Sequence, residues 1–488
     1  MVSIKDKAFL NLCSSISSST DGERLRLFNP GNLDEVIGEV ALAGPDTARA
    51  AMESSHRAFR GWPSEPLEKR FQILSKALEL LEGESREVAH CITLENGKPI
   101  KEAQAEVKAA LRDGRFQLSG SALHPPSNDQ PFVLEGDVLG EIWHAPLGVF
   151  LVITPWNFPL ATVIRKVVPA LIWGNTVIIK SAQQTPLAVS LFFNCLKRAG
   201  LPDGVAHLIL GKGSDIGDVL VDDPVLKGIS FTGSTEVGTR ICRRVAGRNV
   251  RLQMEMGGKN ALVILNDADL KVSVRAAVTA AFTCSGQWCT STSRIIVEDG
   301  VYEMFCRLLV ESTTRLCMGP GLDPDVAFGP VASGSQKEIA VQAITQAKKD
   351  GARLLCGGDA PLFVNGKPGN YIEPTVFGDV TETMPLFNEE IFGPVIGITR
   401  AKDEKDALRL VNRSPYGLSF SVYTADSDKA LRFLNGADCG MAHHNLHTGY
   451  RHPALPISGW KESGRGIPEC GHYARDFYTQ IKAVYRKN

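Results

Sequence analysis

Apolar residues at Leu67, Phe71, Leu74, Leu78 and Leu81 recur at three- and four-residue spacing, and Gly83 follows. This spacing predicts an amphipathic helix with a stop at its end. From residue 148 the pattern changes to short apolar runs: Val149 to Thr154, Thr176 to Ile179, Leu208 to Leu210, Gly228 to Phe231 and Ala261 to Leu265. The stretches between them are long enough for helices, so the alternation predicts a parallel sheet with crossover helices. Residues 122 to 147 contain Pro125, Pro126 and Pro131 and little helical periodicity, as an extended excursion or strand arm would. A second αβ region is expected from about 270 to 440, punctuated at Gly319 to Gly321 and Gly357 to Pro361.

With 488 residues the chain exceeds one core, and two or three domains around a cleft are expected. A formal net charge of -1 gives no long-range field for polyanions, which argues against nucleic acid as a partner. No apolar run reaches the roughly 18 residues that span a bilayer, so no membrane partner is expected. The start of the chain has an apolar patch at Ala8 to Leu12 and then serines, without the core of a secretory signal, and is expected to be a frayed cytoplasmic end. Eleven cysteines without metal-ligand spacing suggest reduced thiols, a cytoplasmic protein and no metal site.

Nucleotide cofactors need backbone N–H groups at a helix N-terminus with no side chain in the way. Gly211, Gly213 and Gly217 follow an apolar run, but their spacing misses the dinucleotide fingerprint by one residue. Phe231-Thr232-Gly233-Ser234-Thr235-Glu236 fits better: a strand ends in small hydroxyl residues and a helix begins with an acid in its first turn. An ordinary strand-to-helix turn would have a similar composition. Cys289 lies among Gly286, Gln287, Trp288 and Thr290, where a substrate can approach sulfur, although most cysteines are simply buried. Its company is Glu255, beside Gly257 and Gly258, and Asn157, just after a strand. A nucleophile, a base and an amide donor are the parts acyl transfer requires.

Thr154-Pro155-Trp156-Asn157-Phe158-Pro159, Phe231-Thr232-Gly233-Ser234, Glu255-Met256-Gly257-Gly258-Lys259-Asn260, Gly286-Gln287-Trp288-Cys289 and Glu390-Ile391-Phe392-Gly393-Pro394-Val395 occur in that order. Together, and from about Asn29 to the C-terminus, the chain resembles the aldehyde dehydrogenase superfamily. The resemblance implies an α/β fold. A Rossmann-like cofactor domain (1–122 and 146–256) is joined to an α/β catalytic domain (257–445) and a β oligomerisation arm (123–145 and 474–488), as a homodimer or homotetramer.

It implies oxidation of a small-molecule aldehyde to a carboxylic acid with NAD or NADP. Cys289 would attack as thiolate, so its site should favour that form; Asn157 and the Cys289 N–H would hold the oxyanion, and Glu255 would ready water for the thioester. Thr154, Pro155, Trp156, Gly213, Gly233 and Ser234 would line the cofactor. Lys180 would reach the adenosine ribose, Glu390 the nicotinamide ribose, and Phe392 would pack near the nicotinamide.

Departures from the family pattern matter. Where the family often has Pro-Ser-Glu after that lysine, this chain has Ser181-Ala182-Gln183. Gln183 carries no charge to repel a 2′-phosphate, so use of both NAD and NADP is expected. Near the C-terminus the family usually has Gly-Arg-Glu after Ser-Gly-x; here the run is Ser463-Gly464-Arg465-Gly466-Ile467-Pro468, and the missing glutamate puts a proton relay through that position in doubt. Ile164-Arg165-Lys166 is similar to the Thr-Arg-Lys of succinic semialdehyde dehydrogenases, whose arginine binds a carboxylate; a capping or salt-bridging role is the alternative. The Glu255 and Cys289-Thr290 motifs also resemble the 2-oxoglutarate semialdehyde branch, which favours arginine where Trp288 stands. Trp288 could floor an aromatic or apolar pocket, or only pack beside the nucleophile. Cys284 could pair oxidatively with Cys289 or be a spectator. A non-catalytic structural homologue and an acylating enzyme that hands the thioester to coenzyme A are the other classes; intact Cys289, Glu255 and Asn157 argue against the first, and Glu255 against the second.

Overall fold

The structure is a computed structural model and describes residues 23–123 and 131–487. The expected frayed start, and residues 124–130 of the expected arm, lie outside the described residues. The helix foreseen from leucine spacing runs Leu67–Gly83 (α1), with Leu74, Leu78 and Leu81 buried and Phe71 exposed. A longer helix, Ile100–Gln117 (α2), packs across it.

Two sheets organise the chain. The first holds β2 (Val149–Ile153), β3 (Thr176–Ser181), β4 (Ala206–Leu210), β5 (Leu226–Thr232) and β6 (Arg251–Glu255). They pair in parallel in the order β6-β5-β2-β3-β4, with a short antiparallel strand, Gly464–Gly466, closing the edge beside β6. The chain leaves β2 toward β3 and β4, then returns to add β5 on the other side. The strand order therefore reverses between β2 and β5, and the crevice beyond their carboxyl ends is where open α/β sheets bind ligands.

Four of the five apolar runs form this sheet. The fifth, Asn260–Ile264 (β7), does not: after Glu255 the Gly257-Gly258 pair carries the chain into a second sheet. That sheet contains β7, β8 (Thr292–Glu298), β9 (Arg353–Cys356), β10 (Thr375–Gly378), β11 (Val395–Ala401), β12 (Ser419–Tyr423) and β13 (Met441–His444), ordered β9-β10-β11-β8-β7-β12-β13. A Cβ at Gly257 would lie 2.0 Å from Glu390 Oε2, so the crossing between the sheets leaves room for little but backbone.

β1 (Val138–Pro146) pairs antiparallel with β14 (Thr479–Lys487) in a sheet of its own, which exposes Trp143, Ile481 and Tyr485. No helix among the described residues is long and apolar enough to cross a membrane.

Candidate active site

The helix after β2, Pro159–Ile172 (α3), is apolar on every side, and all its residues except Arg165 are buried. A helix without a polar face belongs inside the molecule, so its two consecutive cations, Arg165 and Lys166, need partners there. Its N-terminus is capped from a distance: Glu106 of α2 accepts from Leu160 N at 3.0 Å and Ala161 N at 3.3 Å. Glu106 also pairs with the buried Lys98 at 2.7 Å, and Lys98 Nζ donates to the Asn157 carbonyl at 2.6 Å. This polar clamp fixes the Trp156–Pro159 corner and with it the Asn157 side chain, whose Nδ2 donates to Gln287 O at 2.8 Å.

Cys289 reaches the same place from the second sheet. The helix Leu270–Phe282 ends in a tight turn where Cys284 and Ser285 take φ of 53° and 54°, a left-handed conformation that costs energy and must be held by its surroundings. Ser285 Oγ donates to Gly329 O at 2.8 Å, and Glu102 accepts from Cys284 N at 2.8 Å. Beyond the turn, Asn260 Nδ2 donates to Cys289 O at 2.7 Å, orienting the residue above Gly258.

Glu255 is the last residue of β6, opposite Thr232 in the ladder. Its carboxyl receives the Gly459 N–H, and Oε2 has no hydrogen-bond partner among the described residues. Burial pushes its proton affinity up, and the neighbouring Glu469 charge adds to this against the pull of Lys166 and Arg165. Glu469 itself is held low by Arg165 and Lys166 despite its burial. No glutamate stands at the position in doubt, which Gly466 occupies, but Glu469, three residues on, stands in electrostatic reach of Glu255.

The expectation that the site favours the Cys289 thiolate is also revised. Burial pushes the thiol up to about 11; Arg165 and the Thr290 N–H pull it down, while Glu255 and Glu390 oppose them. At neutral pH the sulfur therefore carries its proton and needs a base.

One cavity of about 790 Å³ joins these groups: Cys289, Glu255, Asn157, Arg165 and Trp288 all line it. So do Pro155, Trp156, Gly233, Ser234, Glu390 and Phe392. Thr154, Lys180, Gln183 and Gly213 do not; they lie at the carboxyl ends of β2, β3 and β4 along the same sheet edge. Ser234 caps the helix Thr235–Arg244 by accepting from Val237 N at 3.4 Å, while Gly213 opens the helix Gly213–Asp222. Glu390 accepts from Gly258 N at 2.9 Å, and burial pushes it up to about 7. The Phe392 ring meets Trp156 edge to face at 5.5 Å. Burial lowers the proton affinity of Lys180.

Buried hydroxyls at these strand ends, Thr154 Oγ1, Ser181 Oγ and Thr232 Oγ1, have no partner among the described residues. A sheet switch point, a helix N-terminus and orphaned donors fit a dinucleotide lying along this edge.

On the substrate side, Arg165 Nε pairs with Glu469 Oε2 at 3.2 Å. No hydrogen bond of its terminal nitrogens occurs among the described residues. Trp288 donates to Ala280 O at 3.0 Å and packs near Phe158 and His447, with Gly449 making room for its indole. Cys284 is buried with Sγ 3.7 Å from both Asn96 Oδ1 and Asn157 O; burial pushes it up to about 12. That environment suits a spectator. Sequence reasoning missed Lys98, Glu106 and Glu469. Two cations inside an otherwise apolar helix were the available sign that a buried acid had to exist.

Residues 16–484 match the aldehyde dehydrogenase family. The chain is 39% identical to the 2,5-dioxopentanoate dehydrogenase of Saccharolobus solfataricus over 95% of this chain and 96% of the relative. It is 36% identical to the alpha-ketoglutaric semialdehyde dehydrogenase of Bacillus subtilis over 96% of each. The solved structure of a Staphylococcus aureus betaine aldehyde dehydrogenase in complex with NAD+ superposes with a TM-score of 0.90 at 30% identity, covering 95% of this chain and 92% of that one. A cysteine, an amide and a carboxylate around one cavity, beside a dinucleotide edge, agree with these matches: the chain belongs to the aldehyde dehydrogenase family and is an NAD(P)-dependent enzyme that oxidises an aldehyde to its acid.

Proposed function

We propose that this enzyme oxidises an aldehyde that also carries a carboxylate, with Cys289 as nucleophile. The observation that carries the substrate assignment is Arg165: a guanidinium on a buried helix, lining the cavity of Cys289, with terminal nitrogens that no acceptor among the described residues hydrogen-bonds. A carboxylate matches that fork bidentately, and burial makes the pairing strong. Succinic semialdehyde and 2-oxoglutarate semialdehyde have the required two ends, and two relatives are named for aldehydes of this kind.

Glu255, with its raised proton affinity, takes the proton from Cys289 Sγ, and sulfur adds to the aldehyde carbon to give a thiohemiacetal. The Asn157 amide and the Cys289 N–H stabilise the oxyanion. Bound NAD(P) supplies a hydride acceptor for the oxidation to the thioester. Glu255 gives that proton up to solvent and, ionised again, deprotonates the water that cleaves the thioester; the proton taken from water goes to the departing Cys289 sulfur, which releases the acid and restores the thiol. Pro155, Trp156, Gly233, Ser234, Glu390 and Phe392 would hold the cofactor along the cavity, and Thr154, Lys180, Gln183 and Gly213 would extend its edge. Because Gln183 lacks a negative charge, both NAD and NADP are accepted.

A second substrate reading has its own support. The wall of Phe158, Trp288, His447 and Tyr450 suits aromatic aldehydes. Kinetics with succinic semialdehyde and benzaldehyde on wild type and Arg165→Ala separate the two. Loss of the Arg165 charge acts on Cys289, Glu255 and Glu469 with either substrate, so we expect kcat/KM for the acidic aldehyde to fall about 30-fold further than that for benzaldehyde, the loss of one charge-assisted pair. An unchanged value for the acidic aldehyde rejects the carboxylate assignment.

The first sheet, with residues 1–122 and 146–256, forms the cofactor domain and residues 257–445 the catalytic domain. The exposed Trp143, Ile481 and Tyr485 on the β1–β14 sheet support assembly of copies into a homodimer or homotetramer through residues 123–145 and 474–488. Ten unpaired cysteines among the described residues support a reduced cytoplasmic setting.

A further inference from the structure

Behind Glu255 four buried side chains close a ring. Lys166 Nζ lies 3.0 Å from Glu469 Oε1 and donates to Ser230 Oγ at 3.0 Å. Ser230 Oγ donates to Gln253 Oε1 at 2.8 Å. Gln253 Nε2 donates to the carbonyl of Pro468, the residue before Glu469, at 3.0 Å, which brings the ring back to its start. Ser230 and Gln253 are direct neighbours in the β5–β6 ladder, and neither they, Lys166 nor Glu469 is more than 1% exposed.

The ring answers a local problem. Gly464–Gly466 runs beside β6, but Pro468 has no N–H to offer a strand partner, and the sheet edge ends there. Ile457 holds the Glu469 backbone from one side, through bonds of 2.7 and 2.9 Å. From the other side the Gln253 amide is the one group among the described residues that holds the Pro468 carbonyl. The Glu469 oxygens are held by the charges of Lys166 and Arg165 without a hydrogen bond among the described residues, so their position depends on the backbone that the ring anchors, and removing a member of such a buried network is costly.

We propose that Ser230 and Gln253 are positioning residues for thioester hydrolysis: by closing this ring they fix the Glu469 carboxylate and the Lys166 ammonium relative to Glu255. The proposal rests on Glu255 being the base. The charged and titratable groups facing Glu255 are Glu469, Lys166, Arg165 and Cys289. Those facing Glu469 are Arg165, Lys166, Cys470 and Tyr478. With the ring opened, Glu469 withdraws while Lys166 and Arg165 stay, so repulsion on Glu255 falls and attraction rises. Both changes make Glu255 ionise at lower pH and make it a weaker base.

The test uses Gln253→Met and Ser230→Ala in the full-length enzyme with succinic semialdehyde and saturating NAD. We expect the acid limb of the kcat profile to move down by about one pH unit and kcat at its plateau to fall about tenfold. Intact-protein mass spectrometry of quenched turnover should show more of the Cys289 acyl adduct than in wild type. A merely structural role would lower the melting temperature and leave the limb where it was. If both variants keep the wild-type limb and adduct level while Glu255→Gln accumulates adduct, the ring proposal is overturned and the base assignment stands. If Glu255→Gln turns over with a wild-type limb, the base assignment fails and the proposal falls with it.

Discussion

At the cofactor end of the site the groups come mostly from consecutive residues at strand ends, Thr154 to Trp156 and Thr232 to Ser234, and they are mostly hydroxyls and backbone. At the sulfur they come from four distant segments, and Arg165, Lys166, Glu255 and Glu469 are ionisable groups placed in the buried interior. Neutral donors on a sheet edge act by contact, so changing one weakens binding of what touches it. Buried charges act through a low dielectric, so changing one alters every neighbour's protonation. The first end should therefore fail in affinity, and the second in rate and pH dependence.

The largest test of this contrast is Glu255→Gln. We expect kcat to fall by about 10² to 10⁴, the range for general base catalysis, with the Cys289 acyl adduct accumulating. Because the carboxyl's proton affinity is raised, its ionised fraction in wild type grows as pH rises through neutrality, so kcat should rise from pH 6 toward pH 9. That limb should be absent in the variant; stopped-flow and steady-state profiles measure both. Asn157→Ala comes next. Loss of one oxyanion donor should cost kcat on the order of 10² to 10³ with little change in KM for cofactor.

Smaller effects are expected at the other end. In Gly257→Ala the new methyl displaces the flexible end of Glu390, so KM for NAD should rise about tenfold while kcat and melting temperature change little. A kcat loss as large as that of Asn157→Ala would erase the contrast. Gln183→Glu is the mildest change: a charge near the 2′-position should reduce kcat/KM for NADP about tenfold and leave NAD unaffected, as cofactor titrations will show.

Legibility in the sequence follows the same division. Phe231 to Ser234 displays a strand end and a helix cap within a few residues, and the structure has both. The strands of the first sheet were visible because parallel strands buried on both faces must be apolar along their length. The apolar pattern by itself grouped Ala261 to Leu265 with the first sheet, which failed because an apolar run says nothing about which sheet receives it, and a pair of glycines can redirect the chain. Glu469 was invisible for a different reason. Its partner Lys166 lies some 300 residues earlier, and neither residue's neighbours in sequence say that they meet. Lys98, in the turn between Gly97 and Pro99, and Glu106, on α2, together hold Asn157 and are likewise joined only by folding, since in sequence each looks like an ordinary solvated charge.

The path of the tail has a consequence for how such enzymes can be recombined. Glu255 ends a strand of one half, Cys289 hangs from the other, and Glu469 arrives on a third stretch that continues into β14. A chimera that exchanges the first sheet alone would inherit Gln253 and Lys166 but keep a foreign tail against them. The unit that can be traded intact is thus discontinuous, and a crossover library that respects it should yield far more active progeny than one cut at the glycine hinge alone.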